Sequence, residues 1–473
     1  MNRMQFLILV AMMVQGCATA PVTPAFLPQR PWPPGTAPSP ETRQLLEDRI
    51  APMAKRGIDE EWAKGVVIGV LNTSGTAVAG YGTTGRDGDG APGGDSRLEI
   101  ASITKTFTGL LLAQSVVAGR TTLDTPLADI LPRTPQAPGG RPIVLQDLAT
   151  HWSGLPRLPR GWDPGEPRNP YMDYTLEKLE DALASQPLDA PPGARHAYSN
   201  LGAATLGQAL AALEGIPYGE LLRSRILEPL EMHDSWIPPP QGGHDDLVPG
   251  HRPDGTRAHR WTFDAFAPTG GLVSTVNDML RYLHAHLNPT EAMKLALEER
   301  TSRPGGAMGL GWHVGLGVPG TDNIRWHNGQ TGGYHSCAAL DAETSRAIVV
   351  LSNTASYWLD TLCVAGIGAI GGKSIPFALP QSIELSEEKR ASYVGTYRTE
   401  DGDPITIKAV HDALVIQAPG QPPHVLWALR PDLFFLKTSV GSAAFKRRNK
   451  DPDAPIEAVR IQFMGATLEG SRE

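Results

Sequence analysis

Strand signals stand at both ends of a long stretch that otherwise reads as helix, and this layout leaves few folds open. Residues 66–71 and 76–81 are apolar runs on either side of the turn Asn72-Thr73-Ser74-Gly75, the pattern of a hairpin. Residues 347–352 form one more apolar run of strand length. Between them the apolar spacing is helical, over 102–117, 176–185, 201–213, 218–226 and 276–287. Further helices are expected over 41–58 and 361–370. A sheet that pairs early strands with late ones satisfies this order, so the expected class is α/β (α+β). Character changes near residues 375–386. Beyond them six strands are expected, over 405–410, 414–417, 425–429, 433–437, 443–446 and 458–463. Turn signals such as Pro419-Gly420 and Arg430-Pro431-Asp432 separate them, which reads as a small β-sandwich or barrel.

The first residues read as an address. Arg3 precedes an apolar run over 6–14 that stops at Gly16 and Cys17, far short of the roughly 20 residues that span a bilayer. A charged start, a short apolar stretch and a small residue at the break make a secretory leader. Val14-Gln15-Gly16-Cys17 resembles the lipobox of bacterial lipoproteins, which implies cleavage ahead of Cys17 and a lipid on it. Ala18, rather than an aspartate, resembles cargo of the outer membrane. Eight prolines from Pro21 to Pro40 then favour an extended spacer. The expected organisation is a leader over 1–16, a lipidated cysteine and tether over 17–40, a main domain over 41–380 and a small β domain over 386–473.

Composition excludes several classes. A net charge of −8 carries no global basic field, so no nucleic-acid partner is expected. A hydrophobic content of 41% argues against wholesale disorder. The 51 glycines and 43 prolines, about a fifth of 473 residues, point to many loops. Three cysteines cannot make a disulfide-dense scaffold. Apart from Cys17, Cys337 and Cys363 either pair in an oxidising periplasm or stay as buried thiols, and spacing alone does not choose.

Three short motifs carry candidate chemistry. In Ser102-Ile103-Thr104-Lys105, serine and lysine three apart share one helix face. A serine hydroxyl needs a base to become a nucleophile, and a lysine serves only when burial keeps it neutral. The helix start adds backbone N–H groups for a developing oxyanion. A second copy, Ser386-Glu387-Glu388-Lys389, reads instead as a helix N-cap with acids in the first turn. In Tyr198-Ser199-Asn200, the tyrosine could relay a proton and the asparagine could bond both lysine and a substrate amide. In His327-Asn328-Gly329-Gln330, on an expected strand, the glycine admits a substrate backbone and the next N–H offers a second oxyanion donor.

Taken together and in this order, the motifs resemble the serine β-lactamase-like hydrolases, which include class C β-lactamases, DD-peptidases, amidases and esterases. Leu148-Ala149-Thr150-His151-Trp152-Ser153-Gly154-Leu155-Pro156, Pro192-Gly193, Pro268-Thr269-Gly270-Gly271-Leu272 and Gly309-Leu310-Gly311-Trp312 extend the resemblance over roughly residues 41–375. It implies an antiparallel sheet flanked by helices, with a helical subdomain. It implies Ser102 as acylated nucleophile, Lys105 as base, Tyr198 in proton transfer, Asn200, His327 and Gly329 at the substrate, and the N–H groups of Ser102 and Gln330 as oxyanion hole. The family's β-lactamases carry Lys-Thr-Gly where this chain has His327-Asn328-Gly329. A permanent cation would thereby become one that titrates near pH 6.5, which favours esters and D-amino-acid peptides or amides over β-lactams. No Glu-x-x-x-Asn segment of the class A kind is present, so deacylation falls to Tyr198 or to the substrate itself.

No cofactor or metal is expected. His284-Ala285-His286 lacks the companions of a binuclear zinc site and reads as a solvated helix face. His151 and His196 read as hydrogen-bonded structural residues. Gly80-Tyr81-Gly82-Thr83-Thr84-Gly85 has dinucleotide spacing but opens no helix. Expected partners are a small-molecule or peptide acyl substrate, including peptidoglycan fragments, and a membrane reached through the lipid. The rival reading is a penicillin-binding or sensing lipoprotein of the same scaffold, acylated with little or no turnover.

Overall fold

The computed structural model describes residues 39–86, 90–135, 140–240, 246–303, 306–410, 413–418, 423–451, 454–463 and 466–473. The expected leader, Cys17 and nearly all of the tether lie outside the described residues. Helix α1 (Pro40–Leu45) begins within the stretch read as tether, with Ser39 capping it through Thr42 N–H. It runs through a π-helical turn into α2 (Ala51–Asp59).

The hairpin β1 (Gly65–Asn72) and β2 (Gly75–Gly82) follows as expected. A two-stranded ribbon pairs β3 (Leu98–Glu99) with β4 (Val273–Ser274). Strands β5 (Thr301–Arg303), β6 (Gly306–Met308), β7 (His313–Val314), β8 (Arg325–Gln330), β9 (His335–Asp341) and β10 (Arg346–Ser352) complete one eight-stranded sheet, ordered β2-β1-β10-β9-β8-β7-β6-β5. Its pairings are antiparallel, and β1 meets β10 with Val66 opposite Ser352. Early and late strands thus lie side by side.

The central strands read as continuous apolar runs because both of their faces are covered. Val67 and Leu71 of β1, Val349 and Leu351 of β10, and Ala338 and Leu340 of β9 enter one core. Val66, Ile68, Val70, Ile348, Val350, Cys337 and Ala339 enter the other. The first core holds α3 (Thr104–Val117), α4 (Leu145–Ala149), α5 (Leu176–Ser185), α6 (Asn200–Glu214), α7 (Tyr218–Leu222), α8 (Ala267–Gly270), α9 (Val276–Leu287) and α10 (Glu291–Leu297). The second packs α2 and α11 (Trp358–Ile370) on the opposite face. Cys337 of β9 is bonded to Cys363 of α11, with Cα atoms 6.2 Å apart, which resolves the pairing left open by spacing.

After α12 (Glu387–Tyr393), capped by Ser386 as expected, the chain forms a closed barrel rather than a sandwich. Its strands are β11 (Gly395–Arg398), β12 (Pro404–Val410), β13 (Ala413–Gln417), β14 (His424–Arg430), β15 (Leu433–Phe435), β16 (Gly441–Arg447), β17 (Ile456–Phe463) and β18 (Ala466–Arg472). The two strands beyond the six expected, β11 and β18, pair with each other and close the ring.

Candidate active site

Ser102 lies in the 3-10 turn Ala101–Ile103 that leads into α3. Ala101 has φ 48°, a left-handed conformation that costs a residue bearing a Cβ roughly 1–2 kcal/mol. Its neighbours hold it there. Thr104 Oγ1 donates to the Ala101 carbonyl at 2.7 Å and accepts from Leu272 N–H at 3.2 Å. Ser336 Oγ donates to the Ile100 carbonyl at 2.7 Å. Strain of this kind, held by surrounding structure, is characteristic of functional turns.

One helical turn on, Lys105 is buried at 3% exposure. Its Nζ donates to Ser102 Oγ at 3.0 Å and to the Thr269 carbonyl of α8 at 2.7 Å. Both partners are neutral oxygens. Burial first, then the Arg157 guanidinium, hold its ammonium well below the usual lysine range. Burial therefore favours the neutral amine of Lys105 beside the hydroxyl.

Ser199 caps α6: its Oγ accepts from Gly202 N–H at 2.8 Å and donates to the Pro156 carbonyl at 2.7 Å. That cap places Tyr198 just outside the helix and Asn200 in its first turn. The Tyr198 ring lies 5.0 Å from Lys105 Nζ and 5.1 Å from Arg157 Cζ. Burial pushes its phenol up to about 12, against hydrogen bonding with Ser102 and the nearby Arg157 charge. Tyr198 is protonated at neutral pH. His151 stands 4.4 Å from the same ring, and its Nδ1 accepts from Ser199 N–H at 3.2 Å, the structural part expected of it. Asn200 Nδ2 donates to Tyr171 Oη at 3.1 Å rather than reaching Lys105, contrary to the expected lysine contact. Its Oδ1 is a buried acceptor without a partner among the described residues.

Strand β8 brings the third motif to the same place. A Cβ on Gly329 would sit 2.6 Å from Ser102 N and 2.5 Å from the Ile100 carbonyl, so only glycine permits this approach. Thr331 N–H bonds the Tyr334 carbonyl, so by strand alternation the Gln330 N–H points off the edge of β8 away from β9. His327 is buried at 1% exposure, and its Nδ1 donates to the Asn328 carbonyl at 2.6 Å. Burial first, then Lys105 when it carries its proton, depress it to about 3. This lies below the titration near pH 6.5 expected of the position, because the imidazole is buried and a lysine is nearby. Glu99, three residues ahead of Ser102, is pushed up to about 8 by burial and adds no negative charge at neutral pH.

The seven motif residues converge from three distant parts of the chain. Sequence reasoning reads the loop 157–173 as one that shapes the cleft, but it names neither Arg157 nor Tyr171 singly and misses the Thr269 carbonyl as a partner of Lys105. Arg157 directly follows the Leu155-Pro156 pair of a recognised segment, a signal that was available. Tyr171 and Trp162 arise from the loop 157–173 and stack with Phe263 and Tyr174, with ring centroids 4.9 and 4.6 Å apart, forming an aromatic wall beside Asn200. His286 is fully buried against Tyr282 and Trp312, contrary to the solvated face expected for His284-Ala285-His286. Among the described residues no cluster of His, Cys, Asp and Glu could hold a metal ion. Among them, too, no helix is long and apolar enough to cross a membrane.

Comparison with known proteins places these features in context. Residues 46–361 match the family described as Beta-lactamase. The chain is 31% identical over 299 residues to the D-alanyl-D-alanine-carboxypeptidase/endopeptidase AmpH of Escherichia coli K12, covering 59% of this chain and 76% of that protein. It resembles the β-lactamase/D-alanine carboxypeptidase of Yersinia pestis, solved with citrate, at 26% identity and a TM-score of 0.56, over 66% and 92% of the two chains. The octameric penicillin-binding protein homologue of Pyrococcus abyssi shares the fold over 89% of this chain and 99% of its own, at a TM-score of 0.61 and 21% identity.

Proposed function

The chain belongs to the Beta-lactamase family, and from this we propose that it is a serine hydrolase of the cell envelope that works through an acyl-enzyme on Ser102. The observation that carries the reading is the buried Lys105, hydrogen-bonded to Ser102 Oγ at 3.0 Å in surroundings that disfavour its charge. In the proposed sequence Lys105 takes the Ser102 proton as Oγ attacks the substrate carbonyl. The N–H groups of Ser102 and Gln330 hold the oxygen that gains charge. Tyr198, protonated and beside two cationic side chains, returns a proton to the leaving group as the acyl–enzyme bond is completed. Water then attacks the acyl group with the same residues in reversed roles. The free Oδ1 of Asn200 suits a substrate amide N–H.

The substrate class we favour is D-amino-acid peptides or amides and esters, ahead of β-lactams. Support comes from His327, which is neutral where the family's β-lactamases have a cation. We further propose a lipid on Cys17, which would tether the domain to a membrane, with the outer membrane favoured by Ala18. Metabolic labelling with an alkyne fatty acid tests it: wild type should label and Cys17→Ala should not.

Fluorescent penicillin and p-nitrophenyl esters, with Ser102→Ala as blank, test the enzyme reading. Ester turnover should follow a pH profile whose acid limb reports protonation of Lys105. Absence of both label and turnover in wild type would refute the reading, while persistent label without turnover would favour the sensing alternative. His327→Lys should raise penicillin acylation relative to ester hydrolysis, since it restores a cation for a ring carboxylate. An unchanged ratio would show that this position does not set substrate class.

A further inference from the structure

The two proposed oxyanion donors belong to segments far apart in sequence, Ser102 at the head of α3 and Gln330 at the end of β8. What sets their spacing lies behind the site, on the face of the sheet that meets α11. Asn328 and Gln330 share that face, two residues apart, while His327 and Gly329 face Ser102. Asp360, in the first turn of α11, accepts from Asn328 Nδ2 at 2.8 Å through one oxygen. Its other oxygen lies 2.8 Å from His335 Nε2. His335, directly opposite Gln330 in the β8–β9 register, is buried at 3% exposure, and its Nδ1 is 2.9 Å from Gln330 Oε1. A carboxylate only accepts, so His335 Nε2 carries the proton and donates to Asp360; Nδ1 is then the acceptor, and the Gln330 amide completes the link by turning its NH2 group to it. One carboxylate therefore holds both residues that flank Gly329, one directly and one through an imidazole. The Cys337–Cys363 disulfide joins the same strand to the same helix one turn further along, so Asp360 cannot drift from His335. On the opposite face the next residue of β9, Ser336, bonds the Ile100 carbonyl ahead of Ser102.

We propose that Asp360 and His335 are positioning residues that set the Gln330 N–H against the Ser102 N–H. They touch no substrate, and they act through the backbone of residues 328–330. This rests on the serine-hydrolase reading above for its consequence in rate, but the bracket itself makes a claim about β8 alone.

The test uses the full mature chain with Asp360→Ala, Asp360→Asn and His335→Ala, and Ser102→Ala as blank. Ester kcat and the penicillin acylation rate should fall about tenfold or more in Asp360→Ala and His335→Ala, with KM within about twofold, because misplaced donors lose the transition state more than the ground state. Asp360→Asn keeps an acceptor oxygen for His335 and should recover most of the rate. Amide hydrogen exchange of the 325–331 segment should quicken about tenfold in Asp360→Ala, whether or not any substrate is turned over. Unchanged exchange and unchanged kcat in Asp360→Ala would overturn the bracket. So would a loss confined to KM, or an equal fall in Asp360→Asn and Asp360→Ala. If wild type neither labels nor turns over while exchange still quickens in Asp360→Ala, the bracket stands and the hydrolase reading falls.

Discussion

Gly329 shows how a single missing methyl allows two distant segments to meet. A Cβ there would collide with Ser102 N and the Ile100 carbonyl, both backbone atoms of a held turn, so neither can yield cheaply. Gly329→Ala should lower the penicillin acylation rate about 100-fold, as β8 is pushed off the nucleophile; a rate within twofold of wild type would remove the close approach from the argument. Ser102, Lys105, Tyr198, Asn200, His327, Gly329 and Gln330 were legible in the sequence because each motif is local, with its spacing set by one helix turn or one strand. Their environments were not. His327 reads as a group that titrates near 6.5, yet burial beside Lys105 takes it to about 3. His335 and Asp360 reach the back wall of the site through contacts across the chain, and no spacing rule marks them.

At the scale of elements, the helices were legible where a cap announces them. Thr175 and Thr275 accept from Lys178 and Asp278 N–H, and α5 and α9 start where the residue pattern put them. The short strands β5 to β7 were not legible, since two or three residues carry no periodicity and their existence depends on neighbours. Strand β9 was also missed. Its run His335-Ser336-Cys337-Ala338-Ala339 is small and mixed, but it lies in the middle of the sheet with every residue buried. Packing between elements also explains a glycine inside α3. A Cβ on Gly109 would stand 2.1 Å from the Leu310 carbonyl, so the recognised segment Gly309-Leu310-Gly311-Trp312 lies directly on the helix. Alanine is the better helix former by about 1 kcal/mol. Gly109→Ala should nevertheless destabilise the chain by ~1–3 kcal/mol through overpacking. Chemical denaturation measures it, and a gain in stability would mean that the contact is absent.

Across the whole molecule, the end of β15 is one place where the C-terminal barrel meets the hydrolase fold. Phe435 leaves the barrel interior and enters the second core, stacking on Trp62 at 5.6 Å. Lys437 follows, buried, with Nζ 3.8 Å from the Trp427 ring and donating to the Glu61 carbonyl at 3.0 Å. Its own carbonyl accepts from Tyr357 N–H, at the start of the helix that carries Asp360. Burial pushes the Lys437 ammonium down to about 8 from an ordinary value near 10.5. Between those values the unfolded chain binds more protons than the folded one, so this lysine makes stability rise with pH across the window, by ~3 kcal/mol. Unfolding free energies measured from pH 8 to 10.5 should therefore climb less steeply in Lys437→Met than in wild type. Equal slopes would show that Lys437 stays charged in its cage. By itself the sequence determined the residue types of the chemistry, the position of the capped helices and the pairing of early with late strands, because these follow from local spacing and from which faces must be buried. Only the tertiary structure decided that the β domain closes into a barrel, that Cys337 meets Cys363, that burial disfavours the charged forms of Lys105 and His327, and that Asp360 stands behind the strand of Gln330. Each of those depends on burial and distance between segments far apart in the chain, and a linear pattern carries neither.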